Sequence, residues 1–227
     1  MPDVPLLLGH RGARVYASAP ENTFASFDLA LEQGCDGFEF DVRGTADRRL
    51  VVCHDPKAGR VIISRATRPQ LPSLPRLEDV LARYGRRVFL DIELKVKGLE
   101  SAVLDAIRNQ PPERGYMVSS FSPAVVLELK ARCALVPLGI ISERASQLRQ
   151  WRELPVDYVI AHQLLLDRKL VEEVHAAGRK LFAWTVNDVK SMRRLADWGV
   201  DAIISDDPKL LVGTLRPAMP GQNSASD

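Results

Sequence analysis

Leu6-Leu7-Leu8 is a brief apolar run closed by glycine, the first of several along the chain. A run of this kind suits a parallel strand covered on both faces. The next, Gly37-Phe38-Glu39-Phe40-Asp41-Val42, alternates: Phe38, Phe40 and Val42 share one face and Glu39 and Asp41 the other, because a strand turns every second residue to the same side. Val88 to Lys95 repeats this theme, with Asp91, Glu93 and Lys95 set against Leu90, Ile92 and Leu94. From there strand and helix patterns alternate with short links. Strands are predicted near 116–121, 135–141, 156–161, 180–185 and 201–205, and helices near 99–109, 123–132, 145–152, 167–177 and 188–197.

The first half carries two more helices. Asn22 or Thr23 caps a stripe of Phe24, Phe27, Ala30 and Leu31 that stops at Gly34, and Leu77 to Tyr84 forms a second helix closed by Gly85. Leu50 to Cys53 reads as a short extra strand, hairpin-like with the one before it. Residues 57–76 are rich in proline and arginine with little periodicity, which predicts an irregular insertion after the second strand, covering the active-site end. Eight parallel strands in this length predict a single-domain (β/α)8 TIM barrel over 1–215, although the count alone leaves an open doubly wound sheet as the alternative. The Pro-, Gly- and Ser-containing stretch 216–227 predicts a disordered tail.

Composition narrows the partners. With 227 residues, 46% of them hydrophobic, one large core is attainable, and a net charge of +2 gives no broad electrostatic case for nucleic acid or an anionic membrane. Any anion must be held by a local site. No apolar run approaches the ~20 residues that span a bilayer, and Met1 to Leu8 lacks the basic and apolar regions of a signal peptide, so a cytoplasmic protein without membrane insertion is expected. Cys35, Cys53 and Cys133 are odd in number and share no metal-ligand spacing, which predicts reduced thiols.

The polar residues fall in one kind of place. His10 and Arg11, Glu39 and Asp41, His54, Glu93 and Lys95, and Trp184 all sit at or just beyond the C-termini of predicted strands, the end that forms the catalytic face of a barrel. Two acids on one strand face are costly to bury unless a cation neutralises them. The plain alternative, for that stretch alone, is an edge strand with a solvated acidic face. The three carboxylates Glu39, Asp41 and Glu93 suit Mg²⁺ or Ca²⁺, His10 and His54 suit acid and base work near neutral pH, and Arg11 and Lys95 suit a phosphate. Metal, acid/base pair and cationic clamp together point to phosphoester cleavage. Glu21 and Asn22 are expected to face the site, with helix capping the other role open to Asn22. Phe121 and Trp184 are expected to wall a substrate pocket, Asp91 to support the site from one layer deeper, His162 and His175 to be structural or solvated, and Asp206-Asp207-Pro208 to cap the last helix.

The same residues carry a family likeness. His10-Arg11-Gly12, Pro20-Glu21-Asn22-Thr23, Glu39-Phe40-Asp41-Val42, His54-Asp55, Glu93-Leu94-Lys95, Ser120-Phe121, Trp184-Thr185-Val186-Asn187 and Asp201 to Pro208 form an ordered series over residues 6–211 that resembles the glycerophosphodiester phosphodiesterases, most closely their compact bacterial cytosolic type. The resemblance implies a TIM barrel, a divalent metal on Glu39, Asp41 and Glu93, acid/base roles for His10 and His54, phosphate contact from Arg11 and Lys95, and a small glycerophosphodiester substrate cleaved to sn-glycerol 3-phosphate and an alcohol. A lysophospholipase D-like activity on lipid diesters and a non-catalytic phosphate-binding protein are the alternatives. Residues 57–76 depart from the family pattern: Lys57, Arg60, Arg65 and Arg68 stand where many relatives carry an acidic insert, and a basic rim of this kind is expected to favour anionic diesters.

Overall fold

The computed structural model describes residues 4–216, so the predicted tail from 217 onward lies outside the described residues. Eight parallel strands close on themselves: β1 (Leu6–His10), β2 (Gly37–Gly44), β6 (Phe89–Leu94), β7 (Tyr116–Ser120), β8 (Leu138–Ser142), β9 (Tyr158–His162), β10 (Lys180–Trp184) and β11 (Ala202–Ser205), with β1 pairing both β2 and β11. Around them run α1 (Phe24–Glu32), α2 (Leu77–Tyr84), α3 (Glu100–Asn109), α4 (Pro123–Arg132), α5 (Ala145–Leu148), α6 (Arg168–Ala176), α7 (Val189–Trp198) and α8 (Pro208–Leu215). This is a (β/α)8 TIM barrel.

The alternation in β2 and β6 decides which side chains go where. Phe38, Phe40, Val42, Leu90, Ile92 and Leu94 point outward and are buried under the helices. The other parity faces the barrel axis, where Leu8, Phe89, Met117, Ile141, Ile160 and Phe182 fill the interior. Glu39, Asp41, Asp91 and Glu93 have that inward parity. Their strands lie in contact because Gly37 carries no side chain: a Cβ there would lie 1.9 Å from the Phe89 carbonyl oxygen. The register then sets Glu39 beside both His10 and Asp91, and Asp41 beside Glu93.

Three elements differ from expectation. The insertion is more ordered than its composition suggests: β4 (Lys57–Ala58) and β5 (Val61–Ile62) form a two-stranded ribbon, followed by 3₁₀ turns at Ile63–Arg65 and Arg68–Gln70. Val51, on the short antiparallel strand β3 (Leu50–Val52), packs with Ile63, Ala66 and Leu71 into a small core of its own. The strand expected from 135 begins at Leu138, since Pro137 has no N–H to donate and only its carbonyl joins the sheet, accepting from Val118 N–H at 2.9 Å. The helix expected over 145–152 is four residues of α-helix continued by a 3₁₀ turn at Arg149–Arg152. No helix among the described residues is long and apolar enough to cross a membrane.

Candidate active site

Beyond β1 the chain turns sharply. Arg11 (φ 53°) and Asn22 (φ 59°) both occupy the left-handed region, which costs a non-glycine residue on the order of 1 kcal/mol or more and persists only when its surroundings hold it. Gly12 (φ 84°) follows, and a Cβ there would lie 2.4 Å from Ser26 Oγ. The turn is tied from both sides: Ser26 Oγ–H and Asn22 N–H donate to the Arg11 carbonyl at 2.9 and 3.0 Å, and Arg11 N–H donates to Glu39 Oε2 at 2.9 Å. Thr23, not Asn22, caps α1 by accepting from Ser26 N–H. Asn22 is thereby free to clamp Asp41, its Nδ2 donating to Asp41 Oδ2 at 2.8 Å and its Oδ1 accepting Asp41 N–H at 3.2 Å.

Glu39, Asp41 and Glu93 are buried, and each offers a carboxylate oxygen within 4.8 Å of the other two. Glu39 Oε1 and Asp41 Oδ1 are buried oxygens without a hydrogen-bond donor. Burial, reinforced by the charges of Asp41 and Glu93, pushes the Glu39 carboxyl well above its usual range, and burial raises Glu93 to about 7 against the opposing pull of Lys95. Asp41 is held low in spite of burial, because Lys95, Arg11 and the Asn22 amide favour its charged form. Lys95 Nζ lies 2.7 Å from Glu93 Oε1 and 3.2 Å from Asp41 Oδ1, the latter a charge contact without hydrogen-bond geometry. One ammonium and the Arg11 guanidinium, 3.3 Å from Asp41 Oδ2, leave this group of acids short of positive charge. The unpartnered Glu39 Oε1 and the shortage of positive charge among these acids fit a hard divalent cation. Asp91 sits one layer deeper; Ser119 Oγ–H donates to it at 2.5 Å, and burial raises it to about 8.

The two histidines are oriented by acids. His10 Nδ1 lies 2.6 Å from Asp206 Oδ1, and Asp206 is itself gripped by Asn187, which donates to Oδ2 at 2.7 Å and accepts Asp206 N–H at 2.9 Å. These contacts hold the Asp206 carboxyl down at about 2, although burial opposes them. An ionised Asp206 accepts only, so Nδ1 carries the proton and Nε2, 3.8 Å from Glu39 Oε2, faces the acids. His54, just past β3, has Nδ1 at 2.8 Å from Asp55 Oδ1 and is fixed through its carbonyl, which accepts from Arg43 Nε–H at 2.8 Å. Burial lowers the His54 imidazole, with Asp55 opposing.

A cavity of about 290 Å³ opens on this end of the barrel. His10, Arg11, Glu39, His54, Glu93 and Lys95 line one side, with Asp91 below; Phe121, Ile141, Ile160, Trp184 and Ile204 line the other, and Glu143 stands among them. Phe121 and Trp184 meet edge to face at 5.5 Å. Two expected residues touch site side chains without lining the cavity. Asn22 is buried against Asp41, and Glu21 pairs with Arg11 NH1 (2.9 Å) and Arg14 Nε (2.8 Å) in an adjoining cleft. None of the residues lining the cavity comes from 57–76. Arg68 is spent on the carbonyls of Leu71 and Leu74, while Lys57, Arg60 and Arg65 are exposed.

Asp206 corrects the sequence reading. Asp207 alone caps α8, accepting from Leu210 N–H at 3.0 Å, and Asp206 is His10's partner. The available signal was parity: Ala202, Ile204 and Asp206 alternate along β11 and beyond, so Asp206 faces inward like Ala202 and Ile204. Asn187 and Glu143 were likewise unassigned. His162 packs its ring edge to face on Trp184 at 5.9 Å and accepts from Leu164 N–H.

Comparison with known proteins gives the family. Residues 10–210 match the profile of the Glycerophosphoryl diester phosphodiesterase family. A glycerophosphodiester phosphodiesterase of Caldanaerobacter subterraneus is 30% identical over 240 residues, covering 93% of this chain and 98% of the relative. Among solved structures, a glycerophosphodiester phosphodiesterase of Parabacteroides distasonis superposes with TM-score 0.84 at 26% identity, covering 95% of this chain and 98% of that one. An Oleispira antarctica phosphodiesterase, solved in complex with the product sn-glycerol 3-phosphate, superposes with TM-score 0.82 at 26% identity over 93% of this chain and 96% of its own.

Proposed function

We propose, for a chain that belongs to the glycerophosphoryl diester phosphodiesterase family, metal-assisted hydrolysis of small glycerophosphodiesters to sn-glycerol 3-phosphate and an alcohol. The protein is a phosphoric diester hydrolase. The finer reading rests chiefly on one observation: three buried carboxylates converge within 4.8 Å, and two of them, Glu39 and Glu93, line a cavity together with both histidines and two cations. A product complex of sn-glycerol 3-phosphate in a structural relative supports the choice of substrate.

Glu39, Asp41 and Glu93 would hold Mg²⁺ or Ca²⁺, which supplies charge to polarise a phosphoryl oxygen. Arg11 and Lys95, already drawn toward the acids, orient the phosphate by charge. His10 takes the proton of the attacking oxygen at Nε2, the nitrogen left free by its bond to Asp206. His54 gives a proton to the departing alcohol oxygen as the P–O bond breaks. Phe121 and Trp184 keep water from the far side of the cavity. The proposal is tested by sn-glycerol 3-phosphate release in EDTA and after Mg²⁺ or Ca²⁺ is restored. Activity lost to EDTA and regained with either ion supports it; undiminished turnover in EDTA refutes the metal's part.

A further inference from the structure

We infer that Glu143 makes the cavity mouth select diesters whose alcohol arm carries a positive charge, a quaternary or primary ammonium. The inference rests on the phosphodiesterase reading above. Charge around the cavity is unevenly divided. On the side of His10, His54 and the carboxylates, Arg11 and Lys95 stand among the acids; on the opposite side Glu143 is the sole charged residue of the lining, together with Phe121, Ile141, Ile160, Trp184 and Ile204, and Lys95 Nζ reaches across to 5.6 Å from the Phe121 ring centroid.

Glu143 follows β8 directly and shares the inward parity of Gly139 and Ile141, so its carboxylate rises one layer above the Ile141 side chain. It is exposed, which places it where the cavity opens rather than at its floor. Its backbone N–H donates to Gln147 Oε1 at 3.1 Å, which fixes the start of the loop, while among the described residues no lysine, arginine or histidine pairs with its side chain. Its β9 neighbour His162 is engaged with Trp184 and the Leu164 N–H.

A carboxylate sharing a cavity with an indole ring is an arrangement that recognises an alkylated ammonium: Trp184, which unlike Phe121 has no lysine over its ring among the described residues, meets its apolar, positively charged surface and the Glu143 carboxylate its net charge. The substrate's glycerol arm bears hydroxyls and needs the polar side of the cavity. Its second arm is the one that extends to the mouth. The exposed arginines and lysine of 57–76 contribute nothing to the lining, so the basic rim that suggested anionic diesters does not face this arm.

The test compares kcat/KM for glycerophosphocholine and glycerophosphoglycerol, at low and high salt, in the wild type, Glu143→Gln and Glu143→Lys. The choline-to-glycerol ratio is expected to fall about fivefold in Glu143→Gln, further in Glu143→Lys, and the wild-type ratio to shrink as salt screens the exposed charge. Release from both diesters with a ratio unchanged in the two variants overturns the head-group assignment alone. Release from neither diester, with metal supplied, overturns the phosphodiesterase reading and the assignment with it.

Discussion

His10 Nδ1 and Asp206 Oδ1 lie 2.6 Å apart although 196 positions separate them in the chain. Closure of the barrel joins them: β1 pairs with β11 from Leu6↔Ala202 to Gly9↔Ser205, so the residues just past the two strand ends meet. Asp206 fixes the His10 tautomer, and Asp206→Asn is expected to lower kcat roughly a hundredfold with little change in KM. The same pair affects stability. A carboxyl held at about 2 when folded stabilises the protein above its unfolded value of ~3.9, and that contribution is lost as pH falls from ~4 toward 2. The stability gap between wild type and Asp206→Asn, of order 2 kcal/mol at neutral pH, should close over that range in urea titrations.

Two of the three clustered carboxylates behave oppositely, while Asp41 is held low like Asp206. Glu39 and Glu93 are raised, Glu93 to about 7, so without metal their folded state favours the proton. Stability is then fully present below the unfolded value of ~4.3 and is lost as pH rises toward 7. Mg²⁺ or Ca²⁺ at about 100 times its Kd would add about 2.7 kcal/mol, and more near pH 7 than near pH 5, where protons compete. Thermal unfolding in EDTA and in metal at both pH values measures this, and Glu39→Gln should reduce the metal-induced shift.

Asp91, at about 8, is neutral at pH 7. Asp91→Asn reproduces that neutral shape and should cost under ~1 kcal/mol, whereas Asp91→Ala, which leaves a void and strands the Ser119 hydroxyl, should cost about 2 kcal/mol or more. Urea midpoints distinguish the two variants.

The outer core is anchored by aromatics. Phe27 stacks on Phe38 at 4.2 Å and meets Tyr84 edge to face at 5.9 Å, and all three are fully buried. Phe27→Ala should cost about 3–5 kcal/mol in unfolding free energy.

Much of this arrangement was legible in the chain because a period of two exposes it. Phe38 and Phe40 against Glu39 and Asp41 announce a strand with one polar face, and the same pattern at Leu90 to Lys95 places the third acid on a neighbouring strand. Asp206 was hidden by its neighbour, since Asp207-Pro208 is a sound cap and one residue of register separates the two roles. Asn22 was ambiguous because Thr23, next to it, is an equally good cap. The two-residue strands β4 and β5 are too short to show any period. Glu143 had nothing local to distinguish it; only the cavity makes it the lone charge on its side.

The central claim is that His10 and His54 act on a phosphodiester beside the three carboxylates, and the most direct measurement is sn-glycerol 3-phosphate release by His10→Ala and His54→Ala with Mg²⁺ or Ca²⁺ supplied. Circular dichroism and thermal unfolding establish that each variant is folded. The account predicts that both variants lose at least a hundredfold in kcat. Turnover near the wild-type rate in both folded variants would contradict it.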